Sequence, residues 1–228
     1  MACRKGGREM MNGIKEYPAP WTLHGKGYIF LYRFKKDYVE RSGNIPEYLK
    51  DSFIGGFGSV MLVDYESSEA GPYGELLFIP GKFRFNGRKL DTISKIYVST
   101  MESVVNGRAN WGIPKEKADF SFEKSGDNEE KAIVSVGGKT AAEFTVKSGK
   151  LAFPVSTKLL PFPLIQQYEG KNYYTDFFGT GKGHLANLKD IKIDPNLFPD
   201  ISCCRPIAVI RVDPFEITFP EAKIEDVR

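Results

Sequence analysis

The chain has 228 residues, of which 41% are hydrophobic, enough to form a substantial core. Its formal net charge is only +3 at pH 7, and its lysines alternate with acidic residues, so it lacks the clustered positive charge of a nucleic-acid-binding protein. No apolar run approaches the roughly 18 residues that a membrane-spanning helix needs, so we expect no membrane insertion.

The N-terminal residues 1–15 are predicted to form a flexible tail. The segment is basic and lacks the apolar stretch of a secretory signal. Cysteines are few, since only Cys3, Cys203 and Cys204 occur. Three cysteines, two of them adjacent, make no disulfide framework, so the sequence favours a reducing, cytoplasmic location.

Strand signals dominate the rest of the chain. Aromatic and β-branched residues recur in short segments bounded by turn residues, the pattern typical of β-strands. The predicted strands are Lys26–Phe34, Ser59–Tyr65, Glu75–Ile79, Ile93–Thr100, Ala118–Lys124, Ala132–Val136, Ala141–Lys147, Tyr173–Phe178, His184–Ile193 and Ile207–Phe219. Gly137-Gly138 predicts a tight hairpin turn between two of them, and Pro214 predicts a bend or an edge in the last.

Helix signals are few. Pro46 at a first-turn position predicts a short helix over Ile45–Lys50. Ser99 or Thr100 is suited to cap a second helix that runs to Arg108. Many strands with little helix predict one mostly β (α+β) domain over residues 16–228, an antiparallel barrel or sandwich whose interior could hold a small ligand.

Few side chains suit metal or nucleophilic chemistry. His24 and His184 lie far apart with no cysteine or histidine at ligand spacing nearby, so a metal site is not expected. Cys203 and Cys204 have no convincing base partner. The segment Gly179–Gly183 lies between strand signals with no helix after it, so it predicts a plain turn and not a phosphate loop.

Lysine chemistry remains, and one lysine stands out. Lys115 follows Pro114 directly and lies close behind Trp111 and Ile113. A lysine held among apolar neighbours can lose its proton near neutral pH and become a nucleophile. Taken alone, however, this pattern is also compatible with a solvated surface lysine.

Two further segments give Lys115 a context. Tyr73-Gly74-Glu75 brings one carboxylate to the start of an apolar strand, and Gly107-Arg108 ends the predicted second helix. The Pro-Tyr-x-Glu strand entry, Gly107-Arg108 and Pro114-Lys115, in this order and at these separations, resemble the acetoacetate decarboxylase family. The resemblance covers roughly residues 20–125, and a weaker match places Lys26 at the basic position near the family's first strand.

The resemblance implies a fold and a chemistry. The fold would be a closed antiparallel β-barrel with a few short helices, and a buried lysine would form a Schiff base with a β-keto acid. Lys115 would be the imine-forming amine, and Glu75 the nearby acid that positions substrate or transfers a proton. No cofactor is implied. The implied partners are a small-molecule keto acid or related carbonyl compound and further copies of the chain in a homo-oligomer.

The resemblance also implies a substrate-binding set of Lys26, Tyr73, Arg108 and Trp111. Lys26 would receive the substrate carboxylate, whereas Arg108 would support the site from behind. Trp111 could wall the pocket or simply anchor the loop before Lys115.

Three positions depart from the family pattern. Glu116 follows Lys115 where the decarboxylases have a second lysine, and a carboxylate beside the amine would favour its protonated form. The family's other acid is missing, because counting back from Glu75 reaches Val60, next to Met61. Lys26 replaces an arginine and loses bidentate geometry. These changes predict a larger or less charged carbonyl substrate than acetoacetate.

We therefore expect a Schiff-base carboxy-lyase that decarboxylates a β-keto acid. Aldolase or dehydratase chemistry on a keto acid in the same pocket is a second candidate, because a lysine imine serves those reactions as well. The sequence is also compatible with a non-catalytic barrel that binds a small ligand, or with an interaction protein that uses its aromatic surface.

Overall fold

The computed structural model describes residues 13–159 and 161–227. Residues 1–12 of the predicted N-terminal tail, which include Cys3, lie outside the described residues. The elements are, in chain order, β1 (Trp21–Tyr32), α1 (Lys36–Ser42), a 3-10 turn (Glu47–Leu49), β2 (Phe53–Gly55), β3 (Gly58–Ser67), β4 (Tyr73–Ile79), β5 (Lys82–Phe85), β6 (Arg88–Asp91), β7 (Lys95–Val98), α2 (Met101–Trp111), β8 (Glu116–Lys117), β9 (Asp119–Gly126), β10 (Glu129–Val136), β11 (Lys139–Ser156), β12 (Leu164–Tyr168), β13 (Lys171–Thr175), β14 (Phe178–Ile193), β15 (Ala208–Phe219) and β16 (Lys223–Asp226).

Two sheets make up the fold. The larger has ten strands in the order β8-β7-β4-β3-β1-β15-β14-β11-β10-β9, and the smaller has six in the order β16-β13-β12-β6-β5-β2. Neighbouring strands are antiparallel except for β7 with β8 and β6 with β12. The prediction of a mostly β chain with few helices is confirmed.

The prediction of a closed barrel is wrong. The large sheet is a curled half-barrel whose two edge strands, β8 and β9, are not hydrogen-bonded to each other. The curl nevertheless brings β9 over β4, because a Cβ placed on Gly74 would lie 2.7 Å from the ring of Phe120. The sheet therefore curls without closing its hydrogen-bond ladder.

Most predicted strands and the second helix are confirmed, with shifted ends. Gly137-Gly138 forms the two-residue hairpin turn between β10 and β11, and both glycines have positive φ, as such turns require. Pro214 lies within β15 at a shift in register against Gly25–Gly27 of β1, so it marks a bulge in a central strand. The turn predicted at Gly179–Gly183 is wrong, because these residues belong to β14.

The central strands are buried on both faces. All seven residues of β4 are buried, so alternate side chains enter two different cores. One core contains Phe30, Val60, Leu62 and Phe78. The other contains Trp21, Leu23, Tyr73 and Trp111, and it lies between the large sheet and α2. Within the described residues, no helix is long and apolar enough to cross a membrane.

Asp91, at the end of β6, is a buried carboxylate outside the second core. Its Oδ2 accepts a hydrogen bond from Lys82 Nζ at 2.7 Å, while Oδ1 is buried with no partner among the described residues. Burial raises the pKa of Asp91 from 3.8 to about 6, although Lys82 partly opposes the rise. The folded protein therefore holds this proton at a pH where the unfolded chain has lost it.

We predict that Asp91 makes the protein less stable as the pH rises from about 4 to about 6. Over this range the Asp91 carboxyl is already charged in the unfolded chain but is still protonated in the folded protein, so rising pH favours the unfolded chain. A rise from 3.8 to about 6 corresponds, at about 1.4 kcal/mol per pH unit, to about 3 kcal/mol. Urea unfolding of Asp91→Asn should show a higher unfolding free energy at pH 7 and a smaller loss across this interval than the wild type shows. The exposed Asp127→Asn serves as the control, and equal pH profiles for wild type and Asp91→Asn would contradict the prediction.

Candidate active site

Lys115 is held by the loop that follows α2. Thr100 caps this helix through a hydrogen bond from Ser103 N to its hydroxyl, and Gly112 ends it with φ 64°. A left-handed residue at this point favours glycine, and a Cβ there would also lie 2.7 Å from Tyr173. The chain then reverses through Ile113 and Pro114 and turns the Lys115 side chain back under the helix.

Arg108 and Gly107 fix the position of Lys115. The Arg108 guanidinium donates two hydrogen bonds to the Lys115 carbonyl oxygen, at 3.0 Å from Nε and 2.6 Å from Nη2. A Cβ on Gly107 would lie 2.6 Å from Lys115 Cδ and 2.8 Å from Cε, so only glycine leaves room for the lysine methylenes. Arg108 thus holds the main chain and does not line the cavity, although the sequence-based prediction groups it with the substrate-binding residues.

The Lys115 amine is buried among polar partners. The residue is 4% exposed, and so is Glu75. Lys115 Nζ donates to Glu75 Oε2 at 3.1 Å, to Ser103 Oγ at 3.0 Å and, more weakly, to Tyr73 Oη at 3.4 Å. The structure therefore brings the predicted lysine and the predicted acid into direct contact.

Two tyrosines complete this cluster. Tyr65 Oη donates to Glu75 Oε1 at 3.1 Å, and the rings of Tyr65 and Tyr73 lie 4.7 Å apart. Burial, and next the negative charge of Glu75, raise the pKa of both phenols well above the ordinary value. Both hydroxyls consequently stay protonated and remain able to donate hydrogen bonds.

A small cavity of about 20 Å³ lies beside the amine. Its remaining walls are large and apolar: Trp21, Leu23, Leu77, Ile93, Ile96, Trp111, Ile113 and Phe219. Trp111 both walls this cavity and anchors the loop, because its indole N–H donates to the Pro220 carbonyl at 2.7 Å. Both roles considered for Trp111 are thus seen in its contacts.

Glu116 faces away from the cluster. Its Oε1 accepts a hydrogen bond from Lys95 Nζ at 2.6 Å, and the Glu116 side chain is half exposed. The Lys95 ammonium also lies over the ring of Tyr97. The carboxylate that follows Lys115 in sequence is therefore paired elsewhere.

Lys26 does not join the site. Its ammonium pairs with Asp64 Oδ2 at 3.4 Å, and neither Lys26 nor Asp64 lines the Lys115 cavity. The even-numbered residues that follow Lys26 in β1, Tyr28 and Phe30, belong to the first core, so strand alternation places Lys26 on the face opposite Lys115. The structure does not support the sequence-based placement of Lys26 beside Lys115.

The position counted back from Glu75 holds no acid on either face of β3. Val60 is fully buried in the first core, on the face of β3 away from Lys115. Its neighbour Met61 pairs with Leu77 of β4 and lies on the Glu75 face. A thioether, and not a carboxylate, therefore occupies this part of the site's face.

Sequence reasoning missed Ser103 and Tyr65. Ser103 stands four residues before Gly107 and eight before Trp111, so the three share the helix face that meets Lys115. Tyr65 pairs with Tyr73 across the β3–β4 hairpin. Because Glu75 pairs with Val63, Tyr65 lies two residues along β3 from the residue opposite Glu75. Helical spacing and hairpin register are the signals that could have found them.

We predict that Gly107→Ala impairs the site although alanine favours a helix by about 1 kcal/mol over glycine. The added methyl must displace the Lys115 methylenes and pull Nζ off Glu75, so borohydride trapping of a keto acid should slow by at least about tenfold. Ala109→Gly, at an exposed position of the same helix, is the matched control and should keep trapping within about twofold. Trapping at the wild-type rate by folded Gly107→Ala would contradict the prediction.

No metal-binding cluster accompanies this site in the described part of the chain. Among residues 13–159 and 161–227, no group of three or more histidine, cysteine, aspartate or glutamate side chains is arranged to hold a metal ion.

Comparison with known proteins gives the site a family context. A family model described as acetoacetate decarboxylase (ADC) matches residues 9–178. No curated protein sequence matches the chain.

Several solved structures share the fold. An acetoacetate decarboxylase from Legionella pneumophila has a TM-score of 0.71 at 15% identity, with 96% of this chain and 92% of that chain covered. The enduracididine biosynthesis enzyme MppR complexed with pyruvate has a TM-score of 0.60 at 15% identity, with 93% and 91% covered. An acetoacetate decarboxylase-like enzyme from Sphingomonas wittichii RW1 has a TM-score of 0.63 at 11% identity, with 93% and 95% covered. At these identities the likeness is one of fold.

Proposed function

The chain belongs to the acetoacetate decarboxylase family, and on this premise we propose that it is a Schiff-base enzyme that decarboxylates a β-keto acid through Lys115. The observation that carries the proposal is the buried contact of 3.1 Å between the Lys115 amine and the Glu75 carboxylate. A buried amine with an adjacent proton acceptor is the arrangement that imine formation needs.

The first step makes the imine. Glu75 takes a proton from the Lys115 ammonium, and the neutral nitrogen bonds to the keto carbon of the substrate. The keto oxygen then leaves as water after it takes up two protons, one of which Glu75 can return. Ser103 Oγ, at 3.0 Å from the nitrogen, holds the amine in place, and Tyr65 fixes the Glu75 carboxylate.

The second step breaks the carbon–carbon bond. The bond to the carboxylate breaks and CO2 leaves. The electron pair of the broken bond forms a double bond to the former keto carbon, and the π pair of the iminium moves onto its nitrogen. Protonation of the resulting enamine on carbon, followed by hydrolysis, releases the ketone and restores Lys115. The apolar walls formed by Trp21, Leu77 and Ile96 exclude water from the substrate carboxylate and thereby favour its loss as neutral CO2.

Condensation chemistry is the second candidate. One structural neighbour, MppR, is described in complex with the condensation product of pyruvate and imidazole 4-carboxaldehyde. An enamine can also form without loss of CO2, when the lysine imine of a keto acid such as pyruvate gives a proton from its methyl carbon to Glu75, and that carbon can then attack an aldehyde. The Lys115 amine and Glu75 would serve this reaction in the same roles.

A product assay separates these reactions. We expect CO2 release from β-keto acids above the rate without protein, measured in parallel with mass spectrometry of products from pyruvate and an aldehyde. A condensation product without CO2 release would favour the second candidate. Absence of both products, together with no borohydride-reducible adduct, would leave only ligand binding and would overturn the proposed function.

A further inference from the structure

The space beside Lys115 is too small for a whole keto acid. A free volume of about 20 Å³ holds about one water molecule. Tryptophan, leucine and isoleucine side chains close the walls toward α2 and β7. A chain on the side of the imine carbon opposite the carboxylate must therefore reach other space.

A second cavity of about 80 Å³ lies next to this one. Tyr65 lines both cavities, so it forms the wall between them. Glu75 pairs with Val63 on β3, Val63 with Gly27 on β1, and Gly27 with Val212 on β15. Because directly opposed residues present their side chains on one face, the second cavity continues across the sheet from Glu75.

This second cavity, here termed the apolar groove, has a mainly apolar lining that suits a hydrocarbon chain. Its apolar side chains are Ile29, Met61, Val63, Val155, Val212, Phe215 and Ile217. No charged residue lines it among the described residues. It lies on the face of β3 that carries Met61 and Val63.

Glycines leave the groove open along β14. A Cβ on Gly179 would lie 2.4 Å from Ile217 Cγ1, and one on Gly181 would lie 2.5 Å from Val212 Cγ1. A side chain at either position would therefore have to displace the apolar lining. This explains why the segment Gly179–Gly183, predicted as a turn from the sequence, is a glycine-rich strand.

We propose that the apolar groove binds the alkyl chain of a β-keto acid longer than acetoacetate, while the keto carbon of that acid meets Lys115. This inference rests on the proposed function and names its substrate class. Tyr65, which is 4% exposed, is the side chain that the bound chain must pass. Each methylene buried in such a groove favours binding by about fourfold.

Binding is tested first, with acids that cannot form an imine. The probes are 3-hydroxyoctanoate and 3-hydroxybutanoate, and the signal is intrinsic fluorescence, because the two tryptophans of the chain both line the Lys115 cavity. We expect the eight-carbon acid to bind at least tenfold more tightly. Equal affinities would overturn the inference.

Variants then locate the preference. Val155→Phe fills the groove from β11, and Met61→Glu places a carboxylate in it, so each should reduce the affinity ratio at least fivefold. Leu151→Phe makes a similar enlargement on the same strand at a residue that is 88% exposed, and it should leave the ratio unchanged. A ratio that both groove variants leave intact would also overturn the inference.

A separate arm tests Lys115 itself by borohydride trapping with acetoacetate and 3-oxooctanoate. Adducts with both acids but no chain-length preference in binding would support the proposed function and sink the inference. Tighter binding of the longer hydroxy acid, with no borohydride adduct from either keto acid, would support the groove as the chain-binding site and contradict the proposed chemistry.

Discussion

Replacement of Lys115 by alanine is expected to remove the borohydride-reducible adduct and to lower turnover by a factor on the order of 10⁴ or more, as loss of a covalent nucleophile does in other enzymes. The reason is chemical, because no other described side chain places an amine in the cavity that contains Glu75. Intact mass after reduction in the presence of a β-keto acid, together with CO2 release, measures both effects.

Folding must be controlled in this experiment. Lys115→Ala leaves the Glu75 carboxylate buried without its cation, and loss of one partner from a buried pair destabilises a protein by about 3–5 kcal/mol. The double variant Lys115→Met/Glu75→Gln removes both charges and should retain the fold. Lys117→Ala, at a partly exposed lysine two positions away, is the control, and this variant should still form the adduct on Lys115. An adduct that persists in folded Lys115→Ala would contradict the assignment.

Replacement of Glu75 by glutamine is expected to give the second largest loss, about 10²–10⁴-fold in turnover, the range typical of general acid–base groups. Glutamine keeps the shape of the side chain but cannot take the proton from Lys115 or return it to the leaving oxygen. Steady-state CO2 release measures the loss, and trapping after long incubation should still detect the adduct.

Glu116→Gln is the matched control for this variant. Glu116 is adjacent to Lys115 in sequence, but its carboxylate pairs with Lys95 outside the cavity. Turnover should therefore stay within about twofold of the wild type. Equal losses for the two glutamine variants would show that Glu75 has no special part in the reaction.

The order of short sequence elements placed Glu75 and Lys115 in one predicted site, and the structure brings the two side chains into contact. Glu75 and Lys115 are far apart in sequence, yet the Tyr73–Glu75 strand entry and the Arg108–Lys115 loop meet in the structure. Local rules placed the start of α2 at its Thr100 cap, but the helix runs to Trp111 and ends at Gly112, beyond the predicted Arg108. The structure gives each member of the Gly107-Arg108 pair a physical role. Gly107 leaves room for the Lys115 side chain, and Arg108 binds the Lys115 carbonyl oxygen.

Strand parity explains the placements that failed. Counting along the chain selects Lys26 and Val60, but side chains alternate between faces, so a shift of one residue moves a side chain to the other core. A bulge near Gly25–Gly27 also interrupts the pairing of β1. Lys26 thus lies on the face away from Lys115, whereas Met61, the neighbour of Val60, lies on the Glu75 face.

Closure of the sheet could not be predicted from local patterns. Each strand signal is local, whereas the spatial order β1-β15-β14-β11 depends on pairing between distant segments. The sequence pattern is compatible with a closed or an open sheet. The apolar groove could not be predicted for the same reason, because β1, β3, β14, β15 and the end of β11 contribute to it together.

The role of Lys115 is tested most sharply by locating the trapped substrate within the chain. After incubation with a β-keto acid and reduction with borohydride, proteolysis and tandem mass spectrometry identify the modified residue. We expect a single adduct on Lys115, formed faster than on any exposed lysine. An adduct on Lys117, Lys95 or another lysine, with Lys115 unmodified, would contradict this expectation.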